Sequence, residues 1–260
     1  MNILITGAGG FIGAHIFRNL SINHNTFRIL SKPAEKFIEN DIILNLESSK
    51  AVSQFLKSFP SQVKIDVIIN LASKLCSSDN INDSKTLIGN IHIAENIAKI
   101  AAVVSPKKLI NFSSSSVYPN ITGTFSEESL PCPQKNTDCF YGLSKQCSET
   151  IIDFLLSGIN TEVTHLRLSQ VYGDGMNSER IMPVMLKELK NHNTITVFGS
   201  GERKSNFIEI NTLNKIVNDL MIIKISGVFN LGDINMSYFH LAEDLIRKHG
   251  NENSKIIKVI

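Results

Sequence analysis

Apolar residues along this chain alternate between two rhythms. Asn2-Ile3-Leu4-Ile5-Thr6 is a short apolar run of strand length, and residues 14–20 space their apolar side chains as one helical stripe. Residues 27–30 and 41–46 read as second and third strands. Residues 49–59 return to the helical period through Ala51, Val52, Phe55, Leu56 and Phe59. Residues 63–72 are almost continuously apolar, as a strand covered on both faces must be. A polar loop over 73–84 leads to a helix at 87–104, with Ile88, Ile91, Ile97, Ile100 and Ala101 among its apolar positions. Residues 108–112 form a fifth strand, and a helix opening at Tyr141 runs through Ile151, Ile152 and Leu155.

Strands that alternate with helices predict an α/β fold, a doubly wound parallel sheet of the Rossmann-like kind, because parallel neighbours need crossover helices. The predicted organisation is a dinucleotide-binding domain over 1–169 plus about 205–231. A small substrate-binding lobe takes 170–204 and 232–260. Ligands of such sheets bind at the carboxyl ends of the strands. Residues 7–13, Ser31, 71–73 and 113–116 are therefore expected to open onto one crevice.

The first turn gives that crevice its chemistry. Gly7-x-x-Gly10-x-x-Gly13 follows a strand directly and opens a helix. A helix N-terminus offers unpaired N–H groups and partial positive charge to a diphosphate. Gly7 makes the tight turn, Gly10 lets backbone approach phosphate, and Gly13 lets the helix lie close on the strand. With Phe11 and Ile12 in the first helical turn, these are the predicted cofactor contacts. Asn45, Leu46, Leu71, Ala72 and Ser73, at the ends of the third and fourth strands, join them. The second strand ends in Ser31-Lys32, with Arg28 nearby, where an NAD site would place a carboxylate on the ribose. A hydroxyl and a cation there favour NADP, with NAD as the alternative.

Tyr141 and Lys145 stand four residues apart and share one helical face. A tyrosine is a poor base at its reference pKa near ~10, and a neighbouring ammonium lowers that value. Such a tyrosine exchanges a proton with a substrate oxygen while hydride passes to or from nicotinamide. A serine ending the fifth strand, within the run 113–116, can hold the same oxygen.

Composition narrows the partners. At 260 residues and 42% hydrophobic content the chain can bury a large core, as one domain or a domain with a lobe. Lys+Arg of 26 against Asp+Glu of 24 gives no support to nucleic acid or an anionic membrane as partner. The apolar runs read as too short and interrupted to span a bilayer. The first strand begins at once, leaving no room for a signal peptide. Cys76, Cys132, Cys139 and Cys147 form no C-x-x-C pair and read as free thiols of a reducing cytoplasm. The seven histidines are scattered, so no metal site is expected.

Several stretches together carry a resemblance: Thr6-Gly7-Ala8-Gly9-Gly10-Phe11-Ile12-Gly13, Asp66-Val67-Ile68-Ile69-Asn70-Leu71-Ala72, Ser113-Ser114-Ser115-Ser116-Val117-Tyr118, Tyr141-Gly142-Leu143-Ser144-Lys145, Leu166-Arg167-Leu168-Ser169-Gln170-Val171-Tyr172-Gly173 and Val228-Phe229-Asn230-Leu231-Gly232. The chain resembles the extended short-chain dehydrogenase/reductases of the NAD-dependent epimerase/dehydratase family. The resemblance implies Ser114, Tyr141 and Lys145 as catalytic residues, with Tyr141 and Lys145 also on the cofactor and Asn90 as a cofactor-side amide. It implies a sugar substrate, nucleotide-activated in most members, and a homodimer through the helices near 87–104 and 141–157. Ser115, Gln170 and Arg203 are the substrate-side candidates. The family's sugar 4,6-dehydratases carry an acidic pair where Ser115 and Ser116 stand, so water elimination is not expected. Gln170 replaces a common Asn. Ser205 replaces a common Arg on the substrate diphosphate, a contact that Arg203 or Lys204 could take over. Tyr118 and Tyr172 read as packing or loop-anchor residues, and Glu127-Glu128 as a solvated turn. The expected activity is an NAD(P)-dependent keto-sugar reductase. The alternatives are a nucleotide-sugar 4-epimerase that retains NAD and a non-catalytic NAD(P)-binding sensor or scaffold.

Overall fold

The computed structural model describes all residues except 35–37, 61, 78 and 260. The chain divides into two compact units, Met1–Leu168 with Asn214–Leu231, and Ser169–Leu213 with Gly232–Ile260.

The first unit begins with β1 (Asn2–Thr6), α1 (Phe11–Leu20), β2 (Asn25–Leu30), β3 (Asp41–Ile43) and α2 (Ser49–Ser58). It continues through β4 (Val67–Asn70), α3 (Lys85–Val104), β5 (Lys108–Ser114), α4 (Cys139–Leu156) and β6 (Glu162–Leu168). In the second unit lie β7 (Gln170–Tyr172), α5 (Ile181–His192), β8 (Thr194–Phe198) and β9 (Lys204–Glu209). α6 (Ile210–Leu220) leads back to the first unit and to β10 (Gly227–Leu231). The second unit is completed by β11 (Ile234–Ser237), α7 (Tyr238–His249) and β12 (Lys255–Val259).

The predicted doubly wound sheet is present. Seven strands pair in the order β10-β6-β5-β4-β1-β2-β3, all parallel. The chain winds outward in both directions from the β1/β4 neighbours. Their carboxyl ends therefore form the switch point where such sheets bind ligands. Leu4, Ile29, Ile68 and Leu109, one from each of four strands, pack with Ile97, Ile100 and Ile152 in one core.

A second row of side chains crosses the sheet at one register and is polar. Thr6 opposes Asn70, Asn70 opposes Asn111, and Asn111 opposes His165. All four are buried. The Thr6 hydroxyl donates to Asn70 Oδ1 at 2.6 Å, and Asn70 Nδ2 donates to Asn111 Oδ1 at 2.8 Å. Asn111 Nδ2 lies 3.0 Å from His165 Nδ1, whose other nitrogen lies 2.9 Å from Asp153 on α4. Each buried polar group thus finds its partner in the next one. The ladder ties the strand before the glycine turn to α4.

Several boundaries differ from the sequence reading. β4 is shorter than 63–72, and at its carboxyl end the ladder gives way to a bond with a side chain. Asp66 N donates to Asn2 O, and Ala72 N turns to the Thr6 hydroxyl. β3 stops at Ile43, and the following turn is set by Asn45 Oδ1 accepting from Glu47 N. Ser48 then caps α2 by accepting from Ala51 N. α4 begins two residues before Tyr141. The expectation that no apolar run could span a bilayer was too strong: α3 is long and apolar enough by length and composition, with half of that stretch buried in protein. Its buried Asn90 and Asn96 are hydrogen-bonded to other segments, as in a core helix.

In the second unit β9 pairs parallel with β7 and antiparallel with β11, while β8 pairs with β12. Residues 205–213, assigned from sequence to the first domain, belong here because β9 is bonded on both sides within this unit. Met185, Leu189, Ile195, Val197, Phe207 and Leu241 form its core.

Asn70→Ala would leave the Thr6 hydroxyl proton without an acceptor and Asn111 Oδ1 without its donor. It is expected to destabilise the protein by about 2–4 kcal/mol in urea unfolding, on the scale of two orphaned buried groups. A loss below about 0.5 kcal/mol would show that the ladder does not hold the sheet.

Candidate active site

The glycine turn is shaped for close approach. Gly7 has φ +67°, and a Cβ on it would lie 2.6–2.8 Å from the backbone of Leu71 and Ala72. A Cβ on Gly13 would lie 2.3 Å from Gly7 O. Only glycine lets α1 start this near β1 and the end of β4. Gly10 caps α1 without a side-chain bond, and the first turn carries no acidic residue. The N–H groups of that turn lack intrahelical acceptors. A dinucleotide diphosphate fits this donor set: close backbone, positive helix end and no repelling carboxylate.

The end of β4 is held from two directions. Ala72 N donates to Thr6 Oγ1 at 3.1 Å. Asn90 clamps the next peptide, accepting from Lys74 N at 2.7 Å and donating to Lys74 O at 3.0 Å. The same amide reaches Ser73 Oγ at 3.3 Å and donates to Ser144 Oγ on α4 at 2.9 Å. The cofactor-side amide implied by resemblance thus spends its hydrogen bonds tying the β4 loop to α4.

α4 carries the proton-transfer pair. Lys145 is buried, and its Nζ donates to Phe112 O on β5 at 2.8 Å. The same Nζ lies 5.6 Å from the centre of the half-buried Tyr141 ring. Burial lowers the lysine pKa to about 8, and the Glu149 charge one turn away acts in the opposite sense. Below about 8 the lysine is an ammonium beside the phenol, the arrangement that favours phenolate.

The serine run divides its work. Ser113 is buried, and its hydroxyl donates to Glu149. Ser114, at the last position of β5, accepts from Ser116 N at 3.1 Å, which leaves its own proton to donate. Ser115 is exposed. Gly142, beside Tyr141, brings this turn against α4: a Cβ there would lie 2.1 Å from Ser116 O.

A family model of the NAD dependent epimerase/dehydratase family matches residues 3–220. The chain belongs to that family. One relative is the dTDP-4-dehydro-6-deoxyglucose reductase of Escherichia coli, 29% identical over 225 residues, covering 81% of this chain and 69% of the relative. The dTDP-D-glucose 4,6-dehydratase of Mus musculus is 24% identical over 280 residues, covering 97% of this chain and 74% of its own. Among solved structures, MoeE5 in complex with UDP-glucose and NAD superposes with a TM-score of 0.81 at 20% identity, covering 100% of this chain and 86% of that one. The UDP-N-acetylglucosamine 4-epimerase of Methanobrevibacter ruminantium, in complex with UDP-N-acetylmuramic acid, gives 0.82 at 19% identity, covering 100% and 86%. These structural likenesses confirm the fold. The family contains nucleotide-sugar reductases, epimerases and dehydratases, and the neighbour MoeE5 was solved with NAD.

Within that family setting, three positions read differently from the sequence expectation. Arg28 is not a phosphate ligand in waiting. Its guanidinium is paired with the buried Asp41 carboxylate through two 2.5 Å contacts, and it lies over the Phe17 ring at 4.4 Å. It sits three residues before Ser31, about 10 Å back along the strand. Ser31 and Lys32 remain exposed at the strand end. Glu127 is more than a solvated turn residue: its carboxylate accepts from Asn230 N at 2.7 Å, which holds its pKa below the usual range. In the second unit Gln170 Nε2 is engaged by Ser205 Oγ at 2.9 Å and by Tyr238 Oη at 3.4 Å, with Arg203 over the Tyr238 ring at 5.7 Å. The second unit thus gathers both of its substrate-side candidates around one tyrosine.

Sequence reasoning missed Glu149, Arg167, Ser113 and Gly142. Ser113, Gly142 and Arg167 lie in stretches that carry the resemblance but were given no role of their own, and Glu149 continues the four-residue interval from Tyr141 and Lys145.

Gly142→Ala is expected to push the serine turn off α4. Turnover should fall about 100-fold, the cost of misplacing a reacting group by about 1 Å, while NAD affinity stays within about threefold. Unchanged turnover would show that the Ser116–Gly142 approach does not set the site geometry.

Proposed function

We propose that this chain is an NAD(P)-dependent reductase of a keto sugar carried on a nucleotide. The observation that carries the reading is the buried Lys145 ammonium held on Phe112 O beside the Tyr141 ring, with Ser114 ending the same strand. Tyr141 gives its proton to the sugar oxygen, and Lys145 stabilises the phenolate that remains. Ser114 donates to the same oxygen and holds it in line. When bound, the nicotinamide supplies the hydride. Residues 7–13 and 71–73 hold the diphosphate side of the cofactor, Asn45 and Leu46 its adenosine side, and Lys145 its nicotinamide ribose. Ser31 and Lys32 favour NADP. Ser115, Gln170 and Arg203 are assigned to the sugar nucleotide.

Three points support reduction over the family's other reactions. Among the described residues no carboxylate stands at the end of β2 to repel a 2′-phosphate. No acidic residue stands at 115 or 116 to eliminate water. A reductase, 29% identical, is among the relatives. Epimerisation with retained NAD is the second reading, favoured by the commitment of Arg28 to Asp41, which removes one cation from a 2′-phosphate. The reading extends to a cytoplasmic homodimer through α3 and α4, where Ile88, Val103, Phe154 and Leu155 are exposed apolar residues.

With dTDP-4-dehydro-6-deoxyglucose, the wild type is expected to consume one NADPH per sugar reduced. Tyr141→Phe should lose turnover at least about 100-fold and keep cofactor affinity. Cofactor that stays bound through turnover with no net consumption would favour the epimerase. Turnover retained by Tyr141→Phe would remove the assignment.

A further inference from the structure

α4 presents Tyr141, Lys145, Glu149 and Asp153 at intervals of four residues, hence on one face. The last three are fixed to the strands beneath. Lys145 donates to Phe112 O, Glu149 meets Ser113 and Arg167, and Asp153 meets His165. The proposed chemistry uses only Tyr141 and Lys145. Glu149 is left as a buried carboxylate with no part in it.

We infer that Glu149 is a positioning residue for the Tyr141–Lys145 pair, its charge keeping the lysine protonated while Arg167 pins that charge in place. The inference rests on the roles given to Tyr141 and Lys145 above.

A buried ammonium is costly without an opposite charge. The groups facing Lys145 can be named element by element. On α4 they are Tyr141 and Glu149, with Asp153 a further turn away and Asp138 at the helix start. On β5 they are the Phe112 carbonyl and Ser113. On β6, Arg167 meets Glu149 and His165 meets Asp153, the carboxylates one and two turns further along α4. Glu149 is the carboxylate one turn from the lysine, and its attraction opposes the effect of burial.

That carboxylate is not free to swing. Arg167 Nε donates to Oε1 at 3.0 Å and Nη2 to Oε2 at 2.7 Å, a bidentate pair. Arg167 is itself fixed by the Tyr118 hydroxyl at 2.8 Å, with its guanidinium 5.2 Å from that ring centre. The Tyr118 hydroxyl in turn reaches Asn230 Oδ1 at 2.8 Å and Ser126 O at 2.9 Å. One connected set of side chains runs from β10 to α4 and ends on Glu149, one helical turn from the lysine. Its charges are two cations and one anion. A phenolate on Tyr141 brings the cluster to neutrality, so the set favours proton donation by the tyrosine.

Removing the anion favours proton loss at every group facing it, whichever group loses first. For Glu149→Gln the alkaline limb of kcat/KM for reduction of dTDP-4-dehydro-6-deoxyglucose should therefore move down by about one pH unit or more. The Tyr141 phenolate band should move the same way, read as the ultraviolet pH titration of each protein minus that of its Tyr141→Phe derivative. Arg167→Gln removes a cation and should move both upward. A merely structural role would lower amplitude or stability and leave the pH positions unchanged. Superimposable titrations for wild type and Glu149→Gln, or an Arg167→Gln shift in the same direction as Glu149→Gln, would overturn the inference. If one variant does not fold, the direction of the other decides. Wild-type turnover retained by Tyr141→Phe would instead overturn the functional reading beneath it.

Discussion

The structure of the first unit depends on how α4 is seated on β5 and β6. The seat is polar at every turn. Ser144 meets Asn90, Lys145 meets a strand carbonyl, Ser148 lies 3.5 Å from Asn111, Glu149 meets Arg167, and Asp153 meets His165. Hydrophobic contact through Ile152 and Leu156 holds the far end of the helix. Apolar packing alone would tolerate sliding or rotation, because it has no direction. Buried hydrogen bonds do not, since a slip of one residue would orphan several groups at once. The result is a helix with a fixed height and rotation, and both Tyr141 and Lys145 inherit that position.

The same network joins the two halves of the crevice. The ladder from Thr6 to Asp153 begins at the strand that feeds the glycine turn and ends on the helix that carries the tyrosine. Asn90 makes a second bridge, from the loop after β4 to Ser144. The places where backbone must touch backbone are given to glycine: Gly7 against Leu71 and Ala72, Gly13 against Gly7, and Gly142 against Ser116. A side chain at any of these would spread the crevice. Polar bonds therefore set the register, and glycines set the distance.

The alternation of strands and helices was legible in the sequence because a parallel sheet buries both faces and leaves long apolar runs. The glycine turn and the Tyr141–Lys145 pair were legible because each is local, with its parts within seven residues. The pairing of Glu149 with Arg167 was not, because they meet across 18 residues of chain and no local pattern shows that one faces the other. Arg28 could be read only as a cation near Ser31 and Lys32, because its partner Asp41 arrives from a neighbouring strand, 13 residues away. Residues 205–213 were placed with the wrong unit for a similar reason, since pairing of β9 with β7 and β11 is long-range. Sequence pattern reports what a segment prefers, and these partners are decided by topology.

The central claim is that the residues seated by α4 carry out a redox step on a sugar. The direct test is isotope transfer. NADPH deuterated at the nicotinamide C4 position should leave one deuterium on the carbinol carbon of the product sugar, detected by mass spectrometry, with the label absent when Tyr141→Phe replaces the wild type. A product formed by the wild type without deuterium from either face of the nicotinamide, while no cofactor is oxidised, would contradict the account.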